Sequence, residues 1–396
     1  MSPPPGQSAA PPPLPPAEGG GAHAPPSWRL ATFDPPEDDE ARTLADFMRG
    51  QRPPGTHYPE EKREIFRWKL AKNPAHHGFA SAMIAGPEER VVSLCTVTPK
   101  RLWARGREVP WAEIGDTFTD ERFLRKGMFS ALVNASRERA QRAGFALVYG
   151  LPNAQSRPGY VDKLGFAIKD DLPLRTYALP LGTRALASRP FAATRPRLKA
   201  LLSNPFAAFA SRLATGALLA PFARRRPAVL VAPEPAVGPD FDDLWRAARD
   251  ALPYAQVRDV RHLAWRFEQN PFPFVLLGAR ARGRLVGYLA LVTVHASSTT
   301  GVRQTFVVDW LVHPEDAPTY ARALLAGALR HAVGVGADLV TSLSSTVSPQ
   351  PLPFTAFGFL SRPTGLPVIV HENDEGRALL ADRAPFHFTL ADTDTF

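Results

Sequence analysis

The residues best suited to chemistry lie between positions 115 and 133. A strand-like run closing on Thr117, Phe118 and Thr119 gives way to a short basic turn, Leu124-Arg125-Lys126-Gly127. A helix pattern then begins at once with Met128, Phe129 and Ser130. Main-chain N–H groups in the first turn of a helix have no acceptors within the helix. The positive end of the helix dipole reinforces them, so the chemistry expected here is capture of an anion. Arg125 and Lys126 add charge beside the one glycine, and the dimensions suit a pyrophosphate. Asn153 and Ser156 occupy a loop with Pro158 and Gly159, where they either hydrogen-bond a ligand or form their own turn.

Other reactive side chains point elsewhere. His76-His77 follow an Asn-Pro pair with no further ligands at metal spacing, so no metal site is expected. Cys95 is the only cysteine, which excludes an internal disulfide framework. It stands in an apolar β-like run and reads as a small core residue.

A turn of this kind needs a strand that enters it and a helix that leaves it, and the chain shows the pattern twice. Trp68-Lys69 and Trp265-Arg266 are each followed, three residues on, by Asn-Pro. Asp116 and Asp309 each end an apolar run, and Gly165-Phe166 and Gly358-Phe359 each come 49 residues later. Helical spacing covers 129–143 and 320–333, and 283–292 reads as a strand. Three landmarks in register predict a duplicated α/β domain. At the same offset Gly127 falls on Tyr320, so the anion-binding turn is expected in the first half alone.

The chain has 396 residues, 44% of them hydrophobic, which suits two domains with a sizeable core. Residues 1–26 hold ten prolines and four glycines, which predicts a disordered tail rather than a signal peptide. No uninterrupted apolar run is long enough to cross a membrane. The net charge of +9 is concentrated, because 172–233 carries ten basic residues and no acidic one. Within it Leu198, Leu201, Leu202, Phe206, Phe209 and Leu213 fall roughly on one helical face. That segment reads either as a linker helix packed between domains or as a peripheral membrane contact through 184–226, drawn to anionic headgroups. No aromatic–basic stacking pattern accompanies the charge, so no nucleic-acid partner is expected.

The turn, the Lys163-Leu164-Gly165-Phe166 run and the internal copy together resemble the GNAT superfamily of acyl-coenzyme A-dependent N-acetyltransferases. Members carry a Gln/Arg-x-x-Gly-x-Gly/Ala turn between a strand and a helix. Here Gly127 takes the first glycine position, with Leu124 and Phe129 as departures on either side. The resemblance covers roughly 27–179, with a degenerate copy in 240–396, and extends to GNAT-like proteins found with polysaccharide biosynthesis. It implies acetyl-CoA as acyl donor and a small primary amine as acceptor; the cytoplasmic location expected here rests instead on the single cysteine, which fits a reducing compartment. It implies that Thr117, Phe118, Thr119, Leu124, Arg125, Lys126, Gly127, Met128, Phe129 and Ser130 bind the coenzyme, with Asn153 and Ser156 contributing.

Several family members place a catalytic base where Glu113 stands, fourteen residues before Gly127; the alternative is an ordinary exposed strand carboxylate. Asp116 recurs in the copy that lacks the turn and so reads as a cap or turn former. A family tyrosine that protonates the leaving thiolate usually sits four residues before the Gly-Phe glycine. That position is Val161 here, and Tyr160 is one residue earlier, a slip of about 100° on an α-helix.

The expected architecture is α/β (α+β): two GNAT-like mixed-sheet domains in tandem, the second degenerate. Its parts are a tail (1–27), an N-acetyltransferase domain (28–179), a basic helical linker (180–235) and a second GNAT-like domain (236–396). The alternatives are a non-catalytic tandem protein that docks on a membrane or a polysaccharide-assembly partner, and aminoacyl transfer of the Fem type. The oligomeric state is not set by the sequence.

Overall fold

A computed structural model describes residues 28–51, 63–187, 229–295 and 302–393. The proline-rich tail lies outside the described residues. So does most of the basic segment, including the apolar stripe and Arg224, Arg225 and Arg226.

The chain forms two mixed sheets. The first is built from β1 (Trp28–Phe33), β2 (Phe79–Ala85), β3 (Arg90–Ala104), β4 (Arg107–Thr119), β5 (Leu147–Gly150) and β6 (Ala167–Ile168). The later strands are β7 (Leu174–Pro180), β8 (Leu230–Pro233), β9 (Tyr254–Gln256), β10 (Phe274–Ala281), β11 (Arg284–His295), β12 (Arg303–Val312), β13 (Leu339–Ser345), β14 (Leu360–Pro363), β15 (Ile369–Glu372) and β16 (Phe386–His387). The first sheet runs β1-β2-β3-β4-β5-β15-β6, with β9 paired to β3 and β16 to β9. The second runs β8-β10-β11-β12-β13-β7-β14.

The two orders are the same order, with one element exchanged. β7 leaves the first half and pairs with β13, Pro180 opposite Leu339. β15 leaves the second half and pairs with β5, Glu372 opposite Leu147. In each sheet the central neighbours are parallel at one place, β4 with β5 and β12 with β13. Each half therefore closes the other's sheet, as in a domain swap within one chain.

Helices cover the faces. Helix α1 (Asp38–Gly50) buries Ala41, Leu44, Ala45 and Phe47 on one face of the first sheet. Helix α2 (Met128–Arg142) buries Met128, Leu132, Val133 and Ala140 on the opposite face, the face of Cys95, Ala112 and Ile114. Both stripes follow from i, i+3/i+4 spacing. In the second half α3 (Pro239–Arg249) and α4 (Ala317–Gly334) play the same parts. Trp103, Trp111 and Tyr149 of the first half share one core with Trp245, Phe267, Phe386 and Phe388 of the second.

At the junction, the equivalent tryptophans stack on each other. The rings of Trp68 and Trp265 lie 4.4 Å apart and nearly parallel. Each indole N–H donates to the other's main-chain carbonyl, at 2.9 Å and 3.2 Å. Both residues sit in five-residue π-helical turns, Arg67–Ala71 and Ala264–Glu268. The wide turn of each half points its ring at one spot, where the two indoles meet.

Candidate active site

The turn expected to bind an anion has the strand–turn–helix form read from the sequence. β4 ends at Thr119, a 3-10 turn follows at Glu121–Phe123, and α2 starts at Met128. Asp120 caps the 3-10 turn and holds Arg122 at 2.7–3.0 Å, which depresses the Asp120 pKa. Leu124 is extended and exposed, Arg125 has φ +62°, and Gly127 has φ +79°. No side chain caps α2, so its first amides keep their donors available. A Cβ on Gly127 would meet nothing within 4 Å, so the glycine is required by its backbone angle and faces open space.

Phe129, at the family's second glycine position, turns its ring inward. The ring packs 5.1 Å from that of Tyr160, and a Cβ on Gly159 would stand 2.5 Å from it. Met128 is buried, while Ser130 is half-buried on the first helical turn. The Lys126 ammonium lies 4.9 Å over the Phe123 ring.

A β-bulge in β4 sorts the other candidates. Gly115 pairs with Thr96 and Phe118 with Leu94, so Asp116 and Thr117 together face Cys95. Asp116 takes φ +44° there, and accepts bonds from Lys69 and, at 2.9 Å, from Thr96 Oγ1. It shapes the bulge rather than pointing at a ligand. Without the extra residue Glu113 and Thr117 would share a face. With it, Thr117 turns toward α2, where its hydroxyl lies 2.6 Å from that of Tyr160. Glu113 stays on the opposite face. Thr119 bonds Ser93 at 2.7 Å, and Phe118 lines a cleft of about 880 Å³ beside α1 and the 3-10 turn.

Tyr160 reaches this position through a π turn at Gly159–Lys163. Such a turn holds more residues than an α turn, and that absorbs the one-residue slip in sequence spacing. Burial raises the Tyr160 pKa far above the ordinary tyrosine value, so the phenol keeps its proton. Cys95, on the same side, is pushed up to about 11 by burial and is an inert core thiol.

Glu113 is buried rather than an exposed strand carboxylate. Lys100 Nζ donates to its Oε2 at 2.5 Å, and the Tyr149 hydroxyl lies 3.4 Å away. Both partners also donate to the main-chain carbonyl of Asp392, Lys100 at 2.9 Å. Spacing along the chain revealed neither Lys100 nor Tyr149. Lys100 stands next to Arg101 in a strand of mixed polarity, so its neighbours in sequence do not single it out.

The pairing of β4 with β5 stops at Glu113 opposite Tyr149, while β4 continues to Thr119. Past that pair no described strand borders β4 on this side, so its main-chain groups line a gap between the two strands. Asn153 and Ser156 are used locally: Asn153 Oδ1 accepts from the amides of Gln155 and Ser156 at 2.9 Å and from the Ser156 hydroxyl at 3.2 Å.

The second half has no such turn. Its 3-10 turn Pro314–Asp316 runs straight into α4, which places Tyr320 buried inside the helix. Among the described residues no group of His, Cys, Asp and Glu could hold a metal ion, and no helix is long and apolar enough to cross a membrane.

Residues 47–169 match the acetyltransferase (GNAT) domain family. No curated protein matches the sequence. Similar folds include a conserved protein of unknown function from Enterococcus faecalis V583, a probable N-acyltransferase (TM-score 0.55, 15% identity, 89% of this chain and 74% of that one). Saccharomyces cerevisiae N-myristoyltransferase with bound myristoyl-CoA gives a TM-score of 0.58 at 12% identity, covering 87% of this chain and 78% of that one. A GCN5-related N-acetyltransferase from Anabaena variabilis gives 0.54 at 11% identity, covering 87% and 73%. Likeness at these identities is one of fold. Residues 47–169 thus match the acetyltransferase (GNAT) domain family, within a chain whose overall fold is like that of these three structures.

Proposed function

We propose that the protein transfers an acetyl group from acetyl-CoA to a primary amine, with an amino sugar of polysaccharide biosynthesis as the acceptor class. The observation that carries this reading is the uncapped start of α2 behind Gly127, at the end of the open edge of β4. The pyrophosphate takes the amides of 124–130, and the pantetheine arm lies in the gap between β4 and β5.

The two faces of β4 divide the work. Glu113, on the inner face, removes the proton from the attacking amine, directly or through water. The amine nitrogen bonds to the thioester carbon, and the carbon–sulfur bond then breaks. Tyr160, on the α2 face, presents a retained O–H to the departing sulfur. Its raised pKa makes it a poor acid, so it stabilises the thiolate by hydrogen bonding, and the proton comes through it or from solvent.

We read the second half as a degenerate copy that completes the acceptor cleft. The shared strand order, the exchanged strands and the stacked tryptophans support this. The missing turn leaves one site per chain. A single buried cysteine suits a reducing cytoplasm.

Titration calorimetry tests the reading. Saturable acetyl-CoA binding that is weakened in Gly127→Glu supports it. No binding of acetyl-CoA or myristoyl-CoA by the unaltered protein would favour the non-catalytic docking protein. Liposome flotation with Arg224, Arg225 and Arg226 changed to serine addresses the proposed membrane contact through 184–226.

A further inference from the structure

The carboxylate of the first-half site is steadied by residues of the second half. Arg258 follows β9 and is almost fully buried. Its Nε and Nη2 donate to Asp309 at 2.9–3.1 Å, and Nη2 also reaches Asp392 Oδ2 at 3.0 Å. Thr389 links the two acids: its hydroxyl donates to Asp309 at 2.8 Å, and its amide donates to Asp392 at 2.7 Å. On the other flank Arg266 donates to the carbonyls of Ala391 and Thr393, both at 3.2 Å. The turn at Leu390–Asp392 is therefore gripped from two sides.

What this turn presents to the first half is one main-chain oxygen. The Asp392 carbonyl accepts from Lys100 and Tyr149, both of which also contact Glu113. A three-residue 3-10 turn has little stability of its own, so the oxygen stays in place only as far as the turn is anchored. Asp309 alone would suffice to neutralise Arg258. In the first half its counterpart Asp116 accepts from Lys69 and Thr96, both of that same half. The bond from Arg258 to Asp392 is the additional element in the second half.

We infer that Arg258, acting through Asp392, is a positioning residue that fixes Lys100 and Tyr149 against Glu113. The functional side of this inference rests on the acyl-transfer reading; the geometric side does not. Arg258→Met would leave two buried acids without a cation and is expected to fold poorly. Asp392→Asn and Thr389→Val are the informative variants, because Asp309 still neutralises Arg258 in both.

Trace labelling of the full chain with acetic anhydride, read by mass spectrometry, tests the geometry without any substrate. Lys69, equally buried and paired with Asp116, is the internal control. Labelling of Lys100 should rise about tenfold in Asp392→Asn with Lys69 unchanged, the scale of one lost charge-assisted hydrogen bond. Unchanged Lys100 labelling, or equal rises at both lysines, would overturn the inference. Thiol release from acetyl-CoA should then show a lower kcat for Asp392→Asn, with acetyl-CoA affinity kept. In the Glu113→Gln background Asp392→Asn should add no further loss, and an equal loss in both backgrounds also counts against positioning. If Glu113→Gln itself keeps full turnover, the base assignment fails, and the labelling result still decides the positioning.

Discussion

Glu113 and Tyr160 stand on opposite faces of one strand, and their surroundings set different demands. Glu113 has Lys100 as a buried counter-charge, so Glu113→Gln removes both the proposed base and half of an ion pair. Turnover should fall about 10²–10⁴-fold, the usual contribution of general base catalysis, with acetyl-CoA affinity nearly intact by calorimetry. Stability should fall too, by up to about 3–5 kcal/mol, because the buried ammonium loses its counter-charge. Adding Lys100→Met should restore part of the melting temperature but none of the turnover, which separates the two effects. Tyr160→Phe removes one hydrogen bond to a developing anion and should lower kcat about 10–100-fold. Single-turnover rates equal to those of the unaltered protein would remove Tyr160 from the mechanism.

At the scale of elements, the proposed coenzyme binding falls to the strand–turn–helix unit. Gly127 occupies left-handed space with no neighbour at its missing Cβ. Gly127→Ala should therefore cost about 1–2 kcal/mol of backbone strain without a steric clash, a shift visible in thermal melts. Gly127→Glu adds a like charge at the proposed pyrophosphate position and should weaken acetyl-CoA at least about tenfold, more than the strain alone explains. The β16 segment supplies a pH dependence. Burial holds the His387 pKa down to about 3; its Nε2 donates to the Trp310 carbonyl at 2.9 Å, and Ser348 bonds Nδ1 at 2.8 Å. The unfolded chain binds a proton near pH 6.5, whereas the folded protein does so only near 3. This histidine thus leaves stability intact above about pH 6.5 and lowers it by up to about 1.4 kcal/mol per unit as pH falls toward 3. Denaturant midpoints for His387→Gln should show a shallower decline over that window.

For the whole molecule, the reciprocal strands make the halves mutually dependent. Residues 28–187 alone would lose β15 and leave the edge of β5 unpaired, and 229–393 alone would lose β7 from beside β13. Each half expressed separately should aggregate or remain unfolded by circular dichroism, and co-expression should restore a soluble complex. In the intact chain calorimetry should show one cooperative transition, since Trp111 and Tyr149 share a core with Phe386 and Phe388. Two separated transitions would contradict this dependence.

Much of the protein follows from local sequence. The turn at 124–130, the helix behind it and the paired Trp and Asp landmarks are legible because backbone propensity and periodicity act over a few residues. The same reasoning explains why Tyr320, in a helix without a preceding loop, marks the half that lacks the turn. What neighbouring residues cannot specify is which distant segments meet. The bulge that turns Thr117 away from Glu113 depends on β3 across the sheet, and the π turn that brings Tyr160 to Thr117 depends on packing against Phe129. Lys100, Tyr149 and Asp392 gather around Glu113 from widely separated stretches, and β7 and β15 change places between halves. Such contacts depend on long-range strand pairing and a shared core, so only the tertiary structure could decide them.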